Sequence, residues 1–430
     1  MSCRRGHEYA RAAVREAIRS TLARSASIAA ALRRSAARGV ATAAAISVFC
    51  APAYAETFAR CVAELRTIAT AKGITPLTFD TAMAAVESDG DVLKAADDQP
   101  EFTIPIWDYL AGLVDDERIA DGRARLDKWS AVLTDAEQKF GVDRHVIVAV
   151  WGVESDYGRV LGKRALLRSL ATLSCAGRRQ AFFRGELLAT LRIVQSGDIA
   201  PEALVGSWAG AFGQTQFMPS TYQRLAVDFD GDGRRDIVAS VPDALGSSAN
   251  YLRRAGWVTG QPWGYEVRLP TSYAGPSGRR ARQTLAQWSD LGVRQIDGSA
   301  LSGVGPAGLL VPAGAKGPAF LVFRNFDAIF AYNAAESYAL AIAHLADRLR
   351  GGSAFQTPWP TDDPGLGRAE RRELQQRLTE RGFDIGTADG IIGAKTRAAI
   401  SAFQTSIGVT PNGRAGQRVL RALQSPGDQR

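Results

Sequence analysis

The chain has 430 residues, too many for one ordinary domain, and 46% of them are apolar, enough for more than one core. Charged residues make up 22% with both signs interspersed, which excludes wholesale disorder. The formal charge is +8, but residues 1–55 carry nine Arg against Glu8 and Glu16, a net of +7 that leaves +1 for the remainder, so the basic pI gives nucleic-acid binding no support.

Residues 1–55 read as an export leader. An Arg- and Ala-rich stretch precedes an apolar run from Val40 through Ile46 to Phe49, and Ala53-Tyr54-Ala55 offers the small residues a signal peptidase accepts. The run is too short for a comfortable membrane span, so the mature chain is expected in the periplasm without stable membrane insertion. Phe49 stands before Cys50 where a lipoprotein anchor needs a small residue. Beyond the leader only Cys61 and Cys175 remain. In an oxidising compartment they have one pairing, and a Cys61–Cys175 disulfide is weighed against two separate buried thiols.

Residues 56–350 alternate helical periodicity with short Gly-rich loops, and no strand-rich block is read. Thr134-Asp135-Ala136-Glu137 fits a capping box that opens one helix, which Gly141 ends. Asp143 is placed to cap the next, with Gly158 as its stop. On that helix Ile147, Trp151 and Glu154 share a face, so the Glu154 carboxyl sits among apolar neighbours. Desolvation there favours the protonated form that a general acid needs. The competing reading is a structural glutamate paired with Arg159 or Lys163.

Asp228, Asp230, Asp232 and Asp236 stand at positions 1, 3, 5 and 9 of a calcium-loop pattern, with Gly233 at 6 and the Arg234 backbone carbonyl at 7. Ala239 occupies position 12, where a bidentate acid belongs, so the alternative is an Asp/Gly turn neutralised by Arg234 and Arg235. A structural calcium is the expectation, and no organic cofactor is implied. Further on, Asn333 is placed as an N-cap with Glu336 three residues later, and Tyr338 shares a stripe with Ile342, Leu345 and Leu349.

Residues 351–368 hold Gly, Pro, Ser and Asp and read as a flexible linker. Residues 369–425 form a small module of three short helices. Leu374 and Leu378 share one face, Thr396, Ala399, Ile400 and Phe403 another, and Val419 and Leu423 mark the last helix.

Two resemblances add to this reading. Leu374-Gln375, Gly382-Phe383, Asp389-Gly390-Ile391-Ile392-Gly393, Lys395-Thr396-Arg397-Ala398-Ala399 and Phe403-Gln404 resemble the type 1 peptidoglycan-binding module. Trp151-Gly152-Val153-Glu154-Ser155, the block from Ser207 to Ser220, the block from Asp243 to Tyr251, and Ala331-Tyr332-Asn333 are similar to the membrane-bound lytic murein transglycosylase B family, in that family's order. The second resemblance implies a mainly α, lysozyme-like α+β catalytic domain with minor β content. It also implies cleavage of the β-1,4 bond between N-acetylmuramic acid and N-acetylglucosamine, leaving 1,6-anhydro ends, with Glu154 as single acid and base. Ser207, Gln216, Tyr251, Asn333 and Tyr338 are implied to orient Glu154 or bind the sugar. Ser207 could equally be a turn residue, Asn333 a cap and Tyr338 part of the core.

The partner so implied is the peptidoglycan strand, met by a monomer. The alternatives are a hydrolytic muramidase, which needs a second carboxylate, and a non-catalytic wall-binding scaffold. A zinc amidase or peptidase is disfavoured, because beyond the leader the only histidines are His145 and His344, without ligand spacing.

Overall fold

The computed structural model describes residues 50–97 and 104–425, so most of the leader lies outside the described residues. No helix among the described residues is long and apolar enough to cross a membrane.

The helix Arg144–Ser155 is apolar nearly all round, and every residue from Val146 to Gly152 is buried, so it lies at the centre of the main core. The helix Glu336–Arg350 packs against it and buries Tyr338 through Ala346. The helix Asp116–Lys128 closes in from another side at Gly122, where a Cβ would lie 2.4 Å from the Tyr157 hydroxyl and 2.5 Å from Leu349. A second core joins the helices Leu166–Ala176 and Gln180–Ser196 with Phe58, Leu65 and Ala69 of the helix Cys50–Ala71. Across it Cys61 and Cys175 form a disulfide with a Cα separation of 5.8 Å.

The strands are β1 (Arg164–Ala165), β2 (Val205–Gly206), β3 (Gly264–Arg268), β4 (Gly278–Gln283), β5 (Arg294–Gln295), β6 (Ala307–Leu310) and β7 (Ala319–Val322). β1 and β2 pair with each other, and the rest form an antiparallel sheet in the order β4-β6-β7-β3-β5, with Leu309 opposite Leu321. This sheet corrects the expectation that no strand-rich block exists. Leu309 and Leu321 face a small core with Trp288, whereas Leu310, Phe320 and Val322 face the main core. With both faces buried, β6 and β7 are short continuous apolar runs without alternation, which is why sequence periodicity passes over them.

Two helix ends also differ from expectation. Thr134 lies inside the helix Ser130–Phe140, its hydroxyl bonded to the Ser130 carbonyl, so it opens nothing. Glu137 instead reaches forward to accept from the Arg144 backbone amide at 2.8 Å. Gly141 does end that helix in the left-handed conformation, and the Asp143 side chain caps the next at the His145 amide. The next helix stops at Ser155, earlier than Gly158, because Asp156 and Tyr157 already take φ of 52° and 58°.

The segment 351–368 is not a free tether. Phe355 stacks on the His344 ring at 3.7 Å and meets Phe320, while the Gln356 and Thr357 amides donate to the Glu266 carboxylate at 2.7 and 2.8 Å. Gly, Pro and Ser content suggested mobility, but Phe355 and the half-buried Trp359 anchor the segment. The helices Arg368–Glu380, Ala394–Ser406 and Gln417–Gln424 then enclose Leu374, Leu378, Ile400, Phe403 and Leu423. This module is docked on the larger domain: Arg414 forks onto Asp108 at 2.6 and 2.7 Å, and Arg371 donates to the Gly112 carbonyl.

Candidate active site

Glu154 is the penultimate residue of its helix and is partly exposed, between the half-buried Val153 and the buried Ser155. Burial pushes its carboxyl up to about 8, and the Tyr338 hydroxyl, which donates to Oε1, offsets part of that rise. No second carboxylate among the described residues shifts it. The salt-bridge alternative does not hold among the described residues: Arg159 pairs with Asp121 and Asp156, and the exposed Lys163 makes no ion pair with Glu154. Asp156, two residues on, is likewise engaged by Arg118, Arg159 and Arg368.

Tyr338 is both core and site. Its ring is 2% exposed on the stripe that packs the helix, while its hydroxyl reaches Glu154. Burial and the neighbouring Glu154 hold its own proton firmly, so it stays a donor.

Tyr332, which the sequence reading quoted but did not nominate, stands 4.5 Å from the Tyr251 ring and stacks toward Tyr338 at 6.4 Å. Its hydroxyl donates to the Thr215 carbonyl at 2.8 Å. Tyr251 adds a contact to Phe217 and a hydrogen bond to the Ala331 carbonyl. Burial first, and Glu154 after it, raises the pKa of both Tyr251 and Tyr332, and Tyr338 joins this cluster to the carboxyl through its stack on Tyr332 and its hydrogen bond to Glu154. The signal for Tyr332 was its place in the matched tripeptide.

Ser207 and Gln216 belong to the loop that carries Thr215. The Ser207 hydroxyl accepts from the Ala211 amide at 3.0 Å, the turn role. Gln216 has φ of 50° and donates from Nε2 to the Gly213 carbonyl at 2.8 Å. The loop is tied to the Glu154 helix by Ser155, whose hydroxyl donates to the Gln214 carbonyl at 2.5 Å and accepts from the Gly158 amide at 2.9 Å. Ser155 is a second residue the sequence reading quoted without assigning. Asn333 caps no helix: it ends the helix Arg324–Asn333, exposed, and Ala335 stands at the next N-cap. The arrangement can deliver a proton from one carboxyl and take it back.

In the acidic loop, Asp228, Asp230 and Asp232 each bring an oxygen within 4.8 Å of the others. Asp236 does not join them, because its carboxylate accepts from the Val238 and Ala239 amides, both at 2.9 Å. The Arg234 amide donates to Asp232, whose carboxylate its side chain also faces at 3.7 Å. Asp243, which spacing did not suggest, is fully buried and gathers the Phe229 and Asp236 amides at 2.7 Å each.

Against known proteins, residues 57–347 match the transglycosylase SLT domain and residues 367–423 a peptidoglycan binding domain. The chain is similar to SltB3 of Pseudomonas aeruginosa, whose structure holds NAG-anhNAM-pentapeptide. Identity is 46%, the match covers 86% of this chain and 99% of that one, and the TM-score is 0.69. Escherichia coli Slt35, solved in complex with calcium, matches at 29% identity and TM-score 0.60, over 68% of this chain and 92% of that one. The membrane-bound lytic murein transglycosylase B of Escherichia coli K12 is 32% identical over 251 residues, 55% of this chain; the match spans only 65% of that relative's length.

Proposed function

Since the chain belongs to the transglycosylase SLT domain family, within its lytic murein transglycosylase B branch, we propose that it cleaves peptidoglycan glycan strands without water, Glu154 serving as the single acid and base. Protonated Glu154 gives its proton to the oxygen between N-acetylmuramic acid and N-acetylglucosamine as the bond from that oxygen to C1 breaks. The muramic acid 6-hydroxyl oxygen then bonds to C1, and the Glu154 carboxylate takes the hydroxyl proton. A 1,6-anhydro end results, and the acid is restored.

The observation that carries this reading is a Glu154 carboxyl hydrogen-bonded by Tyr338 and kept protonated by burial, while Asp156, the carboxylate nearest it in the chain, is held by Arg118, Arg159 and Arg368. A hydrolytic glycosidase needs two carboxyl groups, roughly 5–9.5 Å apart, to activate water or capture the sugar. Tyr338 orients Glu154, and Gln216, Tyr251 and the exposed Asn333 contact the sugar beside the break. The protein works as a monomer on the periplasmic wall, delivered by its leader and retained by the C-terminal module. Asp228, Asp230, Asp232 and the Arg234 carbonyl suit a structural calcium, which would offset the repulsion of the three carboxylates and fix the loop. That a relative was solved in complex with calcium supports a calcium ion, and the three clustered carboxylates are what point to this loop.

Mass spectrometry of muropeptides released from sacculi, beside Glu154→Gln, tests the reaction. Anhydro-muramyl products that vanish in the variant are expected; reducing ends would refute it. A calcium-dependent rise in Tm that chelation reverses is expected for the loop, and no rise would remove the metal.

A further inference from the structure

The helix carrying Glu154 ends in an unusual way. Asp156 and Tyr157, neither of them glycine, take the left-handed conformation in succession before Gly158 at φ 83°. L residues with a Cβ adopt that region reluctantly, and two in a row persist only where surrounding groups hold them. Tyr157 is held within the larger domain: its hydroxyl donates to the Arg118 carbonyl at 2.8 Å and its ring meets Trp151 edge-on. Asp156 is held partly from outside it. Its Oδ2 accepts from Arg368 of the C-terminal module at 3.1 Å and from Arg159 at 3.3 Å, while Oδ1 faces Arg118 at 3.7 Å. Arg118 in turn donates to the Gly152 carbonyl at 2.8 Å, in the last turn of the same helix.

Among the described residues the Arg368 charge finds no ion-pair partner within its own module. Arg368 opens the helix Arg368–Glu380, and a cation at a helix N-terminus opposes the helix dipole. Its ion pairs run to Asp115, Glu117, Asp121 and Asp156, all on the larger domain. The Arg368 and Asp156 side chains are 14% and 16% exposed, so salt screens the pair weakly. Glu154 lies two residues before this anchor, and Ser155 between them is fixed to Gln214.

We propose that Arg368 is a positioning residue for Glu154: from the wall-binding module it pins the Asp156 turn and thereby holds the end of the catalytic helix in register with Tyr338 and the Ser207–Phe217 loop. The module is on this account part of the catalytic machinery as well as a wall anchor. The inference rests on the transglycosylase reading for its kinetic consequence but not for its mechanical one.

The test uses the full chain with Arg368→Gln, Arg368→Lys and Asp156→Asn, and with Arg377→Gln as control, since Arg377 pairs with Glu373 of its own helix. Hydrogen exchange should lose protection at the amides of 155–158 in Arg368→Gln and Asp156→Asn, recover partly in Arg368→Lys, and stay unchanged in the control. On sacculi, kcat should fall between about tenfold and a hundredfold for Arg368→Gln, the range a small displacement of a catalytic group produces, with KM and sacculus binding unchanged. Combining it with Asp156→Asn should cost no more than the larger single effect. Unchanged protection at 155–158, or a loss confined to KM and sacculus binding, overturns the proposal. Should the wild type release no muropeptide, the functional reading fails while the exchange result still decides the link.

Discussion

Glu154→Gln should abolish cleavage and, at neutral pH, make the protein more stable. The Glu154 carboxyl moves from 4.5 in the unfolded chain to about 8 in the folded one because burial disfavours its charge. Between those values the folded chain binds the extra proton, so stability attributable to this group is intact below pH 4.5 and drains away as pH rises toward 8. At ~1.4 kcal/mol per pH unit the loss reaches about 3 kcal/mol at pH 7. The carboxyl opens onto solvent, which screens it, so roughly half of that, ~1.5 kcal/mol, is the figure to test. Glutamine keeps the acceptor for Tyr338 and has no charge to desolvate. With about 2.1 cal/mol/K of unfolding entropy per residue, a chain of this length gains ~1–2 °C per kcal/mol. The variant should therefore melt with the wild type at pH 4.5, about 2 °C above it at pH 7 and about 3 °C above it at pH 9. Thermal unfolding by circular dichroism at these pH values measures the difference. A difference independent of pH, or a variant less stable above pH 7, would refute the raised acid.

The same acid sets the pH profile of turnover: kcat/KM on sacculi should hold below pH 8 and fall as pH rises through about 8, and a fall centred near pH 5 would contradict it. Tyr338→Phe removes the hydrogen bond that favours the charged form, so the alkaline limb should move upward while the rate drops about 10–100-fold. Replacing both Cys61 and Cys175 with Ser should destabilise the chain by about 2–5 kcal/mol in urea titration, with cleavage per folded molecule unchanged. Asp243→Ala leaves the Phe229 and Asp236 amides without their acceptor, and a loss of about 2–4 kcal/mol, with any calcium-induced rise in Tm abolished, is expected in thermal unfolding.

Much of the module and the central helix could be read directly. Leu374, Leu378, Ala399, Ile400, Phe403, Val419 and Leu423 declared their burial through a 3.6-residue period, and Ile147 and Trp151 showed which face of the helix carried Glu154 into the core. These are local properties, set by spacing within one element. What lies between elements carried no such mark. The sheet was invisible because β6 and β7 are buried on both faces, and the tether was misjudged because two aromatics outweigh a dozen small and polar neighbours. Spacing placed Glu154 on an apolar face, and the family resemblance made it the candidate acid; its pKa, its hydrogen bond to Tyr338, the Tyr332–Tyr251 cluster and the Asp243 acceptor exist only once distant segments meet. Local periodicity fixes which face is buried, whereas desolvation and hydrogen bonding depend on what arrives from elsewhere in the chain, and only tertiary packing decides that.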